Sequence, residues 1–181
     1  MTTIRSAICV RCPPRWLLLR VETDDGEIGW GEAIGALHDE VEKALTAIGE
    51  RVVGNSTHDI TRTIETQRKT RFWRDGPVLD TALSALEMAL WDIKGKQLGA
   101  PVHDLLGGRV RERVRVYRNL WGRNPSEFAE SAREALSQSM TAVKSVLQDP
   151  PLMLFHDQIS MKWSMWFKPC VRLLDPMWIW P

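Results

Sequence analysis

No apolar run in the sequence approaches the roughly 20 residues needed to span a bilayer. Nothing near its start (Met1 to Cys9, which includes Arg5) forms the apolar block of a signal peptide either. A cytoplasmic protein is the expectation. Charge of one sign is also missing: 24 Lys and Arg stand against 23 Asp and Glu. No long-range field therefore invites nucleic acid or an anionic membrane, and neither is expected as a partner. Cysteine is scarce. Cys9, Cys12 and Cys170 cannot form a paired disulfide framework. Cys9-Val10-Arg11-Cys12 has the spacing of half a zinc site. No second Cys/His pair follows at zinc spacing, and Pro13-Pro14 suits a bend better than a redox helix. The pair reads as two strand-end cysteines.

What is present is a soluble, globular composition, 44% hydrophobic and 26% charged over 181 residues. That length accommodates one domain with a real core, or a small domain and part of a second. Trp16 to Thr23 is a β-prone run, followed by Asp24-Asp25-Gly26-Glu27 and a second run from Ile28 to Glu32. An Asp-Gly turn between two such runs signals a hairpin. With Ile4 to Val10 as a first strand and Pro13-Pro14 in the loop, the chain opens as a three-stranded antiparallel meander.

Helices follow. His38 to Val53 places Val41, Ala44, Leu45 and Ile48 on one face. Asn55-Ser56-Thr57 offers caps for a helix near Asp59 to Arg71. Gly76-Pro77 starts a third, with proline suited to the first turn. Leu79, Leu83, Leu86, Leu90 and Ile93 make one stripe along it, and Ala82, Ala85 and Ala89 a second. Two stripes mean a helix buried on most sides, with alanines permitting close approach. Gly99-Ala100-Pro101 ends it, and a helical turn spans Val102 to Leu106. The rhythm then changes. Val114 to Tyr117 reads as a strand, Asn124-Pro125 opens an amphipathic helix, and Thr141 to Lys144 reads as a second strand. Strand, helix, strand at this spacing begins a parallel βα repeat. The expected class is α+β, a small domain leading into an α/β barrel or sheet.

Several segments also form an ordered set: Gly29-Trp30-Gly31-Glu32, Phe72 to Pro77, Ala89 to Lys96 (ALWDIKGK), Ala100-Pro101-Val102, and Leu105 to Gly108. The set resembles the mandelate racemase/muconate lactonizing enzyme branch of the enolase superfamily over residues 1 to about 144. Within that branch, Pro13-Pro14-Arg15-Trp16 leading into the second strand is similar to the galactonate dehydratases. The resemblance implies an enolase-like N-terminal capping domain over residues 1–112. Residues 113–144 would then be the first βα units of a truncated TIM-like barrel. It further implies a sugar-acid substrate, removal of the proton alpha to its carboxylate, and loss of water to give a 2-keto-3-deoxy acid. Mg²⁺ is the implied cofactor and a homo-oligomer the implied parent. Racemisation and cycloisomerisation share the first step, and a non-catalytic interaction module is the remaining alternative.

The capping loops implied by the resemblance are Cys12 to Trp16 and Ala33 to Asp39, which close over substrate and exclude water. Arg15, Trp16 and His38 are the lid candidates; for Arg15 and His38 the simpler reading is that both are solvated loop residues. Lys144 ends the second barrel strand, where some relatives carry a catalytic or carboxylate-binding lysine, or where a lysine simply meets solvent. No metal ligand of the family motif is expected, since the strands that bear them are absent. Glu87 and Asp92 are expected to pair structurally with Lys94 or Arg109. His58 and His103 have no ligand partners nearby in sequence, and Trp30, Trp73 and Trp91 read as core and junction packing.

From Ser145 the pattern breaks down. Four of nine tryptophans lie between Trp163 and Trp180, four of seven methionines between Met153 and Met177, and no strand or helix period fits Lys162 to Pro181. Tryptophan and methionine have single codons, so a neighbouring frame is partly recoverable. It forces valine at Met165-Trp166, Trp166-Phe167 and Met177-Trp178, aspartate at Trp178-Ile179 and alanine at Trp180-Pro181. The remaining positions are compatible with an amphipathic helix, a Gly-Pro stop and a strand opening. Residues 145–181 are therefore read as an out-of-frame tail on an inactive fragment. A native Trp-rich segment that binds a membrane or a partner is the rival.

Overall fold

A computed structural model describes residues 2–33, 37–70, 72, 74–145 and 178–180. It divides into two compact units, Met1–Val110 and Arg111–Pro181.

The first unit opens with β1 (Ile4–Cys12), β2 (Trp16–Thr23) and β3 (Ile28–Ala33), an antiparallel sheet in the order β1-β2-β3. The Asp-Gly turn closes the second hairpin, with Gly26 in the left-handed region. Leu17, Leu19 and Val21, every second residue of β2, are fully buried. This period-2 alternation makes one face of the sheet the core face. α1 (His38–Val52) lies over β1 and α3 (Pro77–Leu98) over β3, with α2 (Ile60–Lys69) beside α3 and α4 (Val102–Leu105) after it.

Both leucine and alanine stripes of α3 are buried. The reason for the alanines lies in β3. A Cβ on Gly31 would stand 1.9 Å from the Ala85 carbonyl oxygen, and one on Gly29 2.2 Å from that of Ala89. Glycines two apart on a strand share a face, and alanines four apart share a helix face. Here the helix backbone rests directly on the strand backbone. The same parity turns Trp30 outward, where it is 42% exposed. The expectation of core packing therefore fails for Trp30. Trp91 packs partly buried against the core, and Trp73 lies outside the described residues.

β3 is an edge strand, and α3 closes that edge. The Trp30 N–H donates to Asp92 Oδ2 (3.0 Å), and Lys96 Nζ donates to the Ile28 carbonyl (2.6 Å) and to Asp92 (2.9 Å). Asp92 thus pairs with Lys96 rather than Lys94 or Arg109, because only the residue four along shares its helix face. Lys94 instead stands over the Trp91 ring, and Arg109 donates to His103. Glu87 is exposed. The helix ends at Gly99 (φ 62°), whose N–H returns to the Gly95 and Lys96 carbonyls.

The expected caps at Asn55-Ser56-Thr57 do other work. Thr57 donates to the Thr2 carbonyl, Ser56 Oγ accepts from the His58 N–H, and α2 starts later, after Asp59.

The second unit holds β4 (Arg118–Leu120), α5 (Pro125–Ser137), β5 (Ala142–Ser145) and β6 (Trp178–Trp180). The strands are parallel, in the order β4-β5-β6. Asn124 caps α5, accepting from the Glu127 N–H at 3.0 Å. The first strand sits later than its Val-x-Val pattern suggests. Val114, Val116 and Tyr117 are exposed, and pairing begins with Arg118 opposite Val143. β5 starts only at Ala142, so Val114 to Val116 have no ladder to join. Within the stretch where no strand or helix period is legible, three residues nonetheless form a strand. Trp178, Ile179 and Trp180 pair with Ala142, Val143 and Lys144. Three β-prone residues suffice where an open strand edge supplies the hydrogen bonds. The rest of the tail reading, residues 146–177 and 181, lies outside the described residues.

Candidate functional site

The turn between β1 and β2 is the natural place to look for function, because Cys12 pairs with Trp16 and leaves Pro13, Pro14 and Arg15 projecting from the sheet end. Beside it lies the start of α1. β1 residues of one parity face this helix: Ala7 touches Gly49, and Arg11 reaches the first turn. Arg11 binds Asp39 at 2.7 Å and also Glu42. Those hydrogen bonds hold the Asp39 carboxyl below its ordinary value and raise the Arg11 guanidinium.

Arg15 and Trp16 are exposed, and His38 is half-buried. His38 Nε2 lies 2.9 Å from the Arg15 carbonyl oxygen. A carbonyl only accepts, so Nε2 must carry the hydrogen. The contact is therefore between the His38 side chain and the Arg15 backbone, and the Arg15 guanidinium is not part of it. Two of the three lid candidates meet in this way, while Trp16 pairs with Cys12 at the foot of the turn. Residues 34–36 of the second capping loop lie outside the described residues.

Arg11, Asp39 and Glu42 were not singled out by the sequence. A signal existed in the two acids three apart near the start of a helix, a spacing that places them side by side. Nothing in the linear pattern identified the basic partner, 28 residues before Asp39.

Lys144 belongs to the second unit. It is half-buried on β5, between Asn119 of β4 and Trp180 of β6 in the register, with Nζ 5.5 Å from the Tyr117 ring. A cation over an aromatic face is a modest attraction at a partly exposed site.

Cys9 and Cys12 are unpaired thiols. Burial pushes the Cys9 thiol up, and the Glu42 charge adds to the effect. That environment disfavours the thiolate that metal binding or redox chemistry needs. His103 contacts Asp104 and accepts from Arg109. Among the described residues, no three His, Cys, Asp or Glu side chains converge as a metal site. Nor is any helix among them long and apolar enough to cross a membrane.

Comparison with known proteins agrees with this architecture. Residues 3–107 match the N-terminal domain model of the mandelate racemase / muconate lactonizing enzyme family. The chain is 39% identical over 135 residues to a D-galactonate dehydratase of Variovorax paradoxus, covering 74% of this chain and 35% of that protein. A D-galactonate dehydratase of Ralstonia nicotianae is 43% identical over 118 residues, covering 65% and 31%. The chain thus spans about a third of the length of these curated relatives. An enolase from Pantoea ananatis, solved with bound D-gluconate and Mg, superposes with a TM-score of 0.71 at 28% identity, covering 81% of this chain and 37% of that one. A mandelate racemase/muconate lactonizing enzyme from Sulfitobacter gives 0.82 at 25% identity, covering 99% and 52%. A family model that matches residues 3–107, more than half of the sequence, settles the lineage: the chain belongs to the mandelate racemase / muconate lactonizing enzyme family.

Proposed function

We propose that this chain is the capping part, with the opening parallel strands, of a sugar-acid dehydratase acting on galactonate or a close relative. Identity near 40% to galactonate dehydratases over 118 to 135 residues carries the reading. The reaction removes the proton alpha to the substrate carboxylate and expels the neighbouring hydroxyl as water, leaving a 2-keto-3-deoxy acid. In this reading residues 1–112 supply the cap and residues 113–144 the first barrel elements. The turn with Arg15 and Trp16 covers the substrate and excludes water. Lys144 stands at a strand end, where barrels of this kind place their chemistry.

Mg²⁺ is the metal this family implies. A carboxylate cluster that could hold such an ion is not found among the described residues. In this reading the 181-residue chain is inactive, and residues 145–181 are out of frame.

The test is to resequence the DNA from the Lys144 codon through the Pro181 codon, restore the alternative frame, and assay both proteins with Mg²⁺. Galactonate dehydration by the restored protein alone supports the reading. Turnover by the 181-residue chain, or no turnover of galactonate, gluconate or mannonate by the restored protein, refutes it.

A further inference from the structure

We infer that His38 is a positioning residue that ties the β1–β2 turn to the first turn of α1, so that the two open and close as one body. The geometry assigns it this role at both ends of the turn. At the tip, His38 Nε2 donates to the Arg15 carbonyl at 2.9 Å. At the foot, Arg11 on β1 binds Asp39, beside His38 in the first turn, at 2.7 Å and also Glu42 one turn along. Between these anchors the turn projects exposed, with no buried side chain from Arg11 to Trp16. Its position is therefore set by polar contacts to α1 rather than by packing.

Two consequences separate this from a general role in the fold. The His38 ring bonds to a backbone carbonyl, so the latch does not depend on which side chain stands at position 15. Residue 15 is then free to vary with substrate while the turn keeps its place. The nitrogen that makes the latch is also occupied by its hydrogen, so Nε2 is not available as a base. The link to substrate specificity rests on the dehydratase reading; the coupling itself does not, and it is measured without substrate.

The experiment is amide hydrogen exchange on the intact chain, followed residue by residue. His38→Ala is expected to speed exchange at Trp16, which pairs with Cys12 where the turn closes, by about fivefold, the factor one ordinary hydrogen bond corresponds to. Leu18 to Val21 should keep their protection. His38→Gln retains a donor and is expected to restore slow exchange at Trp16. Arg11→Gln is the reciprocal cut and should release Glu40 to Glu42 together with the turn. Unchanged exchange at Trp16 in His38→Ala overturns the inference. So does an equal rise across β2 and β3, which would mean that His38 supports the whole unit. Failure of the sugar-acid assay leaves this result untouched, and failure here leaves that assay untouched.

Discussion

Among the described residues, the two units bury their apolar side chains on different scales. The first has a core of twenty buried residues running from Ile4 to Ile93, most of them leucine, isoleucine or valine. The second, among the described residues, has six, of which three are alanine. Both use a helix against strands, and both let a glycine admit a neighbour's backbone: Gly31 for Ala85, and Gly122 for the Phe128 amide. The difference lies in what surrounds that contact. In the first unit a 22-residue helix lies along the edge strand and reaches two of its outer backbone groups, the Trp30 N–H and the Ile28 carbonyl. In the second, short parallel strands of three, four and three residues form a sheet with α5 as its one described helix. Burial of apolar area is the dominant favourable term in folding, so cooperative stability should reside in residues 1–110.

A pair of truncations breaks the comparison most directly. Leu90 is fully buried in the middle of α3, and Leu120 is 3% exposed in the smaller cluster. Leu90→Ala should cost about 3 to 4 kcal/mol, as large-to-small changes in a tight core do. It should shift the main thermal transition followed by circular dichroism. Leu120→Ala should leave that transition in place and alter only the signal from the second unit. Equal shifts would show that the two units unfold together.

Gly31→Ala tests the backbone contact itself. The new methyl would fall 1.9 Å from a carbonyl oxygen, so the helix must move away from the sheet. A loss of about 2 to 3 kcal/mol is expected from overpacking, measured by urea denaturation. The double change Gly31→Ala with Ala85→Gly should recover little, because the clash is with backbone and not with the alanine methyl.

Asp92→Ala sharpens the role of the clamp. It leaves the Trp30 N–H without its acceptor at a partly exposed site, which costs about 1 kcal/mol, while Lys96 keeps only the Ile28 carbonyl. It also uncovers the β3 edge. Concentration-dependent association, read by light scattering, should therefore appear in Asp92→Ala and not in Leu120→Ala.

These contacts show what the sequence made legible. The bounds of β2 follow from an Asp-Gly turn on one side and Pro-Pro on the other, both local signals. The burial of α3 follows from its two stripes. The reason for the alanines was half visible: Gly29-Trp30-Gly31 and Ala85/Ala89 each carry the right spacing, but only the fold says that they meet. Trp30 was misplaced because its bulk suggested burial, while its parity between two helix-facing glycines turns it out. The first strand of the second unit was placed three to four residues early, since Val114-x-Val116 has the pattern of a strand but no partner. In the cap, Arg15 was visible as a charged loop residue. What His38 touches is the Arg15 backbone, and no side-chain pattern reports on a carbonyl. The strand Trp178–Trp180 escaped because three residues are too few to show a period.

The smallest expected effect concerns the exposed charges that tether the turn. Arg11 holds the Asp39 carboxyl below its ordinary value of 3.8, first by hydrogen bonding and then by charge. A carboxyl depressed in the folded state contributes stability above its unfolded value, and that contribution is lost as pH falls through the folded one. Asp24, lowered chiefly by the Thr3 backbone N–H, behaves in the same direction. Stability should therefore decline as pH drops below 3.8. Arg11→Gln should flatten the part due to Asp39 and leave the part due to Asp24. The change near neutral pH should be slight, because the Asp39 side chain is 77% exposed and solvent screens the pair. Urea midpoints near neutrality and again below pH 3.8 give the slope directly. A variant slope equal to the parent's would mean that solvent, and not Arg11, sets the Asp39 titration. The tether at the foot of the turn would then be too loose to hold it, leaving His38 as the anchor that fixes the cap against α1.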